Sequence, residues 1–154
     1  RLNQNLEKYD LEVNFYLHAK FQEYADTFNS ISKRIHLISF GEVAVNEMLM
    51  RCRMLITDYS SVCWDILYQD KPSLFYQFDI EKYNEAHGSY IDMETELFGD
   101  RAATQEQLLD YLEETVQNDF RLKPEYEKMR GEYLQFKDHE HSRHICEEIK
   151  KRFH

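Results

Sequence analysis

The chain has 154 residues, of which 42% are apolar and 14% aromatic, and it carries a formal net charge of −10. That length and composition fit one folded domain with a sizeable core and argue against a disordered chain. The acidic balance argues against a broad nucleic-acid surface, which needs clustered Lys and Arg, but leaves room for one phosphorylated small molecule held by a few local donors. No apolar run approaches the ~18 residues that cross a bilayer, and no signal peptide is read. The polar start Arg1-Leu2-Asn3, without Met, reads as a fragment of a longer protein. Cys52, Cys63 and Cys146 are odd in number and lack CxxC spacing, so they read as reduced, buried thiols of a cytoplasmic protein.

In chain order, residues 2–9 predict a short amphipathic helix with Leu2 and Leu6 on one side. Residues 11–17 alternate apolar and polar before turning fully apolar, which predicts a strand. Residues 19–30 predict a helix with Phe21, Tyr24, Ala25 and Phe28 on one face. A second strand is expected over 35–39, a helix over 43–52, a third strand over 53–57 and a helix over 60–68. After Lys71-Pro72 a fourth strand covers 73–76. The last third predicts no strand. Residues 104–117 open with Thr104 and carry Glu106 in the first turn, an N-cap signature, with Leu108, Leu109, Leu112 and Val116 as the apolar face. Residues 124–136 start on Pro124, favoured in a first turn, and carry Tyr126, Met129, Tyr133 and Phe136. Residues 142–153 predict a last helix with Ile145, Ile149 and Phe153 inward, its terminal Lys150-Lys151-Arg152 opposing the helix dipole.

Strands separated by helices indicate βαβ units, so the fold class is α/β: a Rossmann-like parallel sheet in a single domain over 1–154, with a helical C-terminal third. Ligands of such a sheet bind beyond the C-terminal ends of its strands. His18, Ser39, Asp58 to Ser61, Gln77 and Asp79 fall there.

The most informative stretch is Leu55-Ile56-Thr57-Asp58-Tyr59-Ser60-Ser61-Val62-Cys63-Trp64-Asp65, a strand, a polar turn and a helix start carrying hydroxyls. A helix start exposes unpaired N–H groups and the positive dipole end, which suits a phosphate. Ser and Asp are also favoured there purely as caps. Asp65 reads as an inward or packing-facing acid. His139, His141 and His144, with Glu140, lack the spacing of a structural zinc site, so no metal is expected. Phe75, Tyr76, Phe78, Tyr83 and Tyr90 read as core and loop packing, with one ring stacking on a base as the sharper alternative.

Taken together, Asn46-Glu47-Met48-Leu49-Met50, the string 55–62, Trp64-Asp65, Lys71-Pro72 and Ser73 through Asp79, then Tyr83, resemble the CDP-glycerol:poly(glycerophosphate) glycerophosphotransferase family, the teichoic acid polymerases and their relatives in capsule biosynthesis. The flanks agree: His18 upstream, and Gly88-Ser89-Tyr90-Ile91-Asp92, Glu96-Leu97 and Gly99 downstream. The resemblance implies a fold similar to GT-B glycosyltransferases, with two Rossmann-like halves. This chain looks like the C-terminal, nucleotide-donor-binding half without its opening strand. By the same resemblance Ser60 and Ser61 contact the donor diphosphate, and His18 is catalytic, beside the departing phosphate. His141 and Ser142 in the 138–142 loop add donors, and Asp58 and Tyr59 shape the turn. The implied reaction moves glycerol phosphate, or a similar polyol phosphate, from a CDP-activated donor to a hydroxyl of a growing wall or capsule polymer. No cofactor is implied. A polymer or lipid-linked acceptor would sit on the missing half, and the full-length enzyme would associate peripherally with the cytoplasmic face of the membrane, the isolated fragment being inactive. Two other readings stand beside it: a glycosyltransferase half using another nucleotide-activated sugar, and a non-catalytic Rossmann-like interaction module. Three stretches depart from the family pattern. Arg53 stands where relatives are commonly acidic, Leu97-Phe98-Gly99-Asp100 lacks both prolines of a Leu-Pro-Gly-Pro stretch, and Asp138 to Ser142 lacks the usual glycine.

Overall fold

The period-two stretch 11–17 and the apolar runs before Asp58 and Gln77 all form strands in the computed structural model, which describes residues 1–28 and 32–153. The elements run α1 (Leu2–Lys8), β1 (Val13–Tyr16), a 3-10 helix (Ala19–Tyr24), α2 (Ala25–Phe28), β2 (Ile35–Ile38), α3 (Val45–Arg51), β3 (Leu55–Thr57) and α4 (Cys63–Tyr68). There follow β4 (Ser73–Tyr76), α5 (Ile80–Ala86), β5 (Asp100–Ala102), α6 (Gln105–Gln117), α7 (Pro124–Tyr133) and α8 (His141–Phe153). Every ladder is parallel: β1 pairs with β2, β3 with β4, and β4 with β5. The ladders form two groups, β1-β2 and β3-β4-β5. This is the expected α/β class with parallel strands.

Alternation along β4 sets the layers. Leu74 packs with Leu109 and Leu112 of α6, whereas Phe75 packs with Cys63 and Leu67 of α4 and with Leu97, Phe98 and Leu122. Successive strand residues point to opposite faces, so α6 and α4 cover opposite sides of the sheet. α1 packs on α6, and α3 on α4. The α6 start is a capping box: Thr104 Oγ1 accepts the Gln107 N–H, and the Gln107 side chain accepts the Thr104 N–H.

Several expectations are corrected. β5 was not foreseen in the sequence, nor was α5. The helix expected over 19–30 is a 3-10 helix followed by the single turn α2, and its positions 29 and 30 lie outside the described residues. α7 ends at Tyr133, three residues short of the expected 136. Ile145, Ile149 and Phe153 do not face inward: all three are exposed, and α8 has no buried residue because nothing in the described chain covers its apolar stripe. Cys63 is buried, and burial pushes its thiol up to about 11. Cys52 is only half-buried and Cys146 is exposed, so the expectation of three buried thiols fails for both.

Two of the three departures acquire a structural account. The Arg53 guanidinium pairs with Asp119 at 2.8 Å and lies 4.1 Å from the centre of the Phe120 ring. Those residues close α6 in a Schellman turn: Asp119 N–H donates to Val116 O, Phe120 N–H donates to Thr115 O, and both residues have positive φ, +53° and +56°. Arg53 thus holds the end of α6 against the start of β3. Its hydrogen bond keeps the Asp119 carboxyl below its ordinary range. Arg53→Ala is therefore expected to lower the melting temperature at neutral pH and to return the Asp119 carboxyl toward its ordinary value in an NMR titration. Since the folded-state value is depressed, the ionic part of this stabilisation is present above the unfolded carboxylate pKa and is lost as pH falls through the folded one. The gap between the two melting curves should narrow in acid. In the second departure, Leu97 and Phe98 are buried, and Asp100 opens β5 as acceptor for Lys123 and for the Tyr126 hydroxyl, both at 2.9 Å. Gly99 is the position that packing demands: a Cβ there would stand 2.2 Å from Ser73 O.

Candidate functional site

The polar turn after β3 does not begin α4 at residue 60, as expected. Cys63, Trp64 and Asp65 donate to the carbonyls of Ser60, Ser61 and Val62, three i→i+3 bonds of 3.1–3.3 Å, so the chain enters through a tight 3-10 turn and becomes α-helical at Cys63. α4 has no side-chain cap. Neither Ser60 nor Ser61 uses its hydroxyl in a hydrogen bond among the described residues. The purely structural reading of these serines as caps therefore loses its main support.

The turn is fixed from behind. Asp58 Oδ1 accepts the Tyr59 N–H at 2.6 Å, and Asp58 O accepts Gln77 Nε2 at 3.0 Å. Gln77 is fully buried, and its own N–H donates to Ala102 O at 2.9 Å, so one residue ties together the C-terminal ends of β3, β4 and β5. The Tyr59 hydroxyl donates to Asp79 Oδ1 at 2.8 Å, and its ring stacks on Tyr83 at 3.6 Å and 5°. Burial, with the Asp79 carboxylate beside it, raises the Tyr59 phenol well above its ordinary value, so it stays protonated and donating. Position after β4 singled out Gln77 and Asp79 in the sequence, but not their partners. Asp65 is exposed, against the expectation of a packing-facing acid. Phe78 and Tyr90 are exposed too, while Phe75 is core.

His18 lies two residues beyond β1 and is exposed. Its Nδ1 accepts the Lys20 N–H at 3.2 Å, which leaves Nε2 to carry the proton of the neutral ring and to donate outward. Ser39, just past β2, gives its N–H to Glu42 at 3.1 Å.

The 138–142 loop goes elsewhere. His139 Nδ1 and His141 Nε2 stand 3.3 and 3.1 Å from the hydroxyl of Tyr68, the last residue of α4, whereas Ser60 and Ser61 precede that helix. The structure therefore does not bring His141 and Ser142 to the serines; it places them at the opposite end of α4. Asp138 ties the loop by accepting Glu140 N–H at 3.0 Å and bonding His144 Nε2 at 2.7 Å, and the His144 bond holds its carboxyl below the ordinary range. His139 adopts φ +60°, the left-handed conformation a glycine favours, so the glycine-free loop still makes that turn. A shallow depression of about 440 Å³ lies here, between Tyr68, Asp70, Lys137 and His139. Lys71, on its edge, donates to Leu49 O and Met50 O at 2.7 and 2.9 Å and so closes the C-terminus of α3.

Comparison with known proteins gives a consistent picture. The family described as CDP-Glycerol:Poly(glycerophosphate) glycerophosphotransferase matches residues 1–151. The teichoic acid poly(ribitol-phosphate) polymerase of Bacillus spizizenii is 33% identical over 62% of this chain and 14% of its own length. The teichoic acid glycerol-phosphate transferase of Staphylococcus aureus is 28% identical over 93% of this chain and 40% of its own. The teichoic acid poly(glycerol phosphate) polymerase of Bacillus subtilis is 35% identical over 51% of this chain and 11% of its own. The chain thus spans well under half the length of each.

Proposed function

Since the chain belongs to the CDP-glycerol:poly(glycerophosphate) glycerophosphotransferase family, we propose that it is the donor-binding part of an enzyme that transfers a polyol phosphate from a CDP-activated donor to a hydroxyl of a wall polymer. The observation that carries this reading is the turn 58–61. Gln77, Asp79 and Tyr83 immobilise it from behind, and among the described residues the two serine hydroxyls are left unspent at the C-terminal end of a parallel strand. Hydroxyls held in place but without protein partners are prepaid donors for phosphate oxygens.

In the reaction the acceptor hydroxyl oxygen bonds to the glycerol-bearing phosphorus. The bond from that phosphorus to the bridging oxygen breaks, and CMP departs with the electron pair. The acceptor's proton passes to a base outside this chain. Charge grows on the departing phosphate, so fixed donors there accelerate the step. Ser60 and Ser61 serve as these donors, with His18 Nε2–H beside them. The acceptor, polymeric or lipid-linked, is held by the remainder of the enzyme at the cytoplasmic face of the membrane. Among the described residues no helix is long and apolar enough to cross one.

Titration of the complete enzyme with CDP-glycerol, CDP-ribitol, CMP and a UDP-sugar, followed by calorimetry, tests the proposal. Binding of the CDP-polyols and CMP is expected. Preference for the UDP-sugar would favour the glycosyltransferase reading, and no nucleotide binding by a folded protein would leave the interaction module.

A further inference from the structure

The depression at the C-terminal end of α4 has no part in the chemistry of the turn 58–61, yet it gathers cations in a chain of net charge −10. Asp70 is bracketed there: Arg130 pairs with its Oδ1 and Lys137 with its Oδ2. One carboxylate thus faces two cations, and Lys71 on the rim adds a third. The acids of the adjoining loop are engaged elsewhere, Asp138 with His144 and Glu140 with Arg143. Even with Asp70 as partner, burial and the Arg130 charge hold the Lys137 ammonium below its ordinary range. A further anion beside Lys137 would relieve that crowding.

Two helix C-termini, of α3 and α4, converge on the depression, and a helix C-terminus ordinarily repels an anion. Both ends are closed. Lys71 covers Leu49 O and Met50 O of α3. α4 ends in a Schellman turn, with Asp70 N–H on Leu67 O, Lys71 N–H on Ile66 O and Asp70 at φ +58°. What the site offers instead is a chain of hydrogen-bonding rings. The Tyr68 hydroxyl has one proton for two imidazoles, His139 Nδ1 at 3.3 Å and His141 Nε2 at 3.1 Å, so it donates to one and accepts from the other. Donation to His139 puts that ring's proton on Nε2, which has no partner among the described residues. His139 lines the depression together with Lys137. An anion there selects this arrangement: His141 donates to Tyr68, Tyr68 to His139 and His139 to the anion, each bond polarising the next.

We propose that this depression, of about 440 Å³, is a second phosphate site that takes a phosphodiester of the polyol-phosphate chain through Lys137 and His139. α4 is six residues long and rises about 9 Å, so one phosphate does not touch both Ser60-Ser61 and Lys137. A shallow trough suits a chain that passes through it. That a phosphate binds follows from the cluster; naming it a phosphodiester of the polymer rests on the function proposed above.

Calorimetric titration of the complete enzyme with glycerophosphoglycerol, a soluble phosphodiester, and with CMP tests it. Lys137→Gln is combined with His139→Asn, since Asn tolerates the positive φ of that position. The pair is expected to weaken the diester by at least about tenfold while CMP affinity and the melting temperature stay unchanged. Tyr68→Phe keeps the ring near Lys137 but removes the relay, and a smaller loss of diester affinity is expected. Ser60→Ala with Ser61→Ala should weaken CMP and spare the diester. An enzyme that binds no diester, or binds it equally well without Lys137 and His139, would overturn the proposal. So would CMP weakened in step with the diester, which would merge the depression with the donor site. Binding to phosphatidylglycerol vesicles without binding to the soluble diester would give the cluster to a membrane and overturn it too. Diester affinity that depends on Lys137, in an enzyme that binds no nucleotide, would keep the phosphate site and remove the donor reading.

Discussion

Gly99→Ala is expected to cost about 3 kcal/mol of stability, read as a lower urea midpoint with an unchanged slope. The new Cβ would stand 2.2 Å from Ser73 O and 2.9 Å from the Phe75 ring. The ring could tilt, but the carbonyl belongs to β4, which is paired on both sides, to β3 and to β5. Ser73 cannot retreat without opening a ladder, and Gly99 cannot retreat because Leu97 and Phe98 before it are buried in the α4-side core. Gly131→Ala is the matched control. It lies inside α7, where a Cβ meets nothing within 4 Å. There the same substitution removes a flexible residue from a helix and should stabilise by up to about 1 kcal/mol. A Gly99→Ala protein with the wild-type midpoint would mean that the β4–β5 contact is looser than described, and with it the anchoring of Gln77 on Ala102.

The same contact explains why β5 escaped the sequence. Asp100-Arg101-Ala102 has no apolar alternation, and only Ala102 is fully buried. Its strand character comes from the edge of β4 and from the close approach at Gly99, both tertiary. α5 escaped for a related reason: it buries no residue and so has no apolar face to read. β1 to β4 were legible because their alternation or apolar runs reflect burial directly. For α8 the period predicted a helix correctly, but a stripe says only that something apolar could be covered, not that it is. In the site, the turn 57–61 was visible as a change from apolar strand to polar turn to helix. The partners that fix it were not, since nothing local links Asp58 to Gln77 or Tyr59 to Asp79, nineteen and twenty residues away. The 138–142 loop shows the limit of arguing from succession along the chain. Its order relative to α4 was clear, yet which end of that helix it meets depends on Tyr68, seventy-one residues from His139.

Ser60→Ala combined with Ser61→Ala, in the complete enzyme, is expected to reduce transfer by at least about a hundredfold while leaving the fold intact. Hydrogen bonds to charged groups contribute about 1.5–3 kcal/mol each, so losing even one that strengthens as charge builds on the leaving phosphate gives roughly a tenfold to hundredfold fall. The fold should scarcely notice, because neither hydroxyl has a partner to lose among the described residues and α4 is not capped by a side chain. Melting within a degree or two of wild type separates this outcome from a collapsed turn. The split between kinetic constants locates the contacts further: a higher KM alone means that the serines bind donor and transition state equally, whereas a lower kcat means contacts made chiefly as the bond breaks. His18→Ala should also lose activity, and the triple variant should lose less than the product of the separate effects if all three groups act on one phosphate. Multiplicative losses would place His18 on a different atom, and wild-type turnover in the double serine variant would remove the turn from the chemistry altogether.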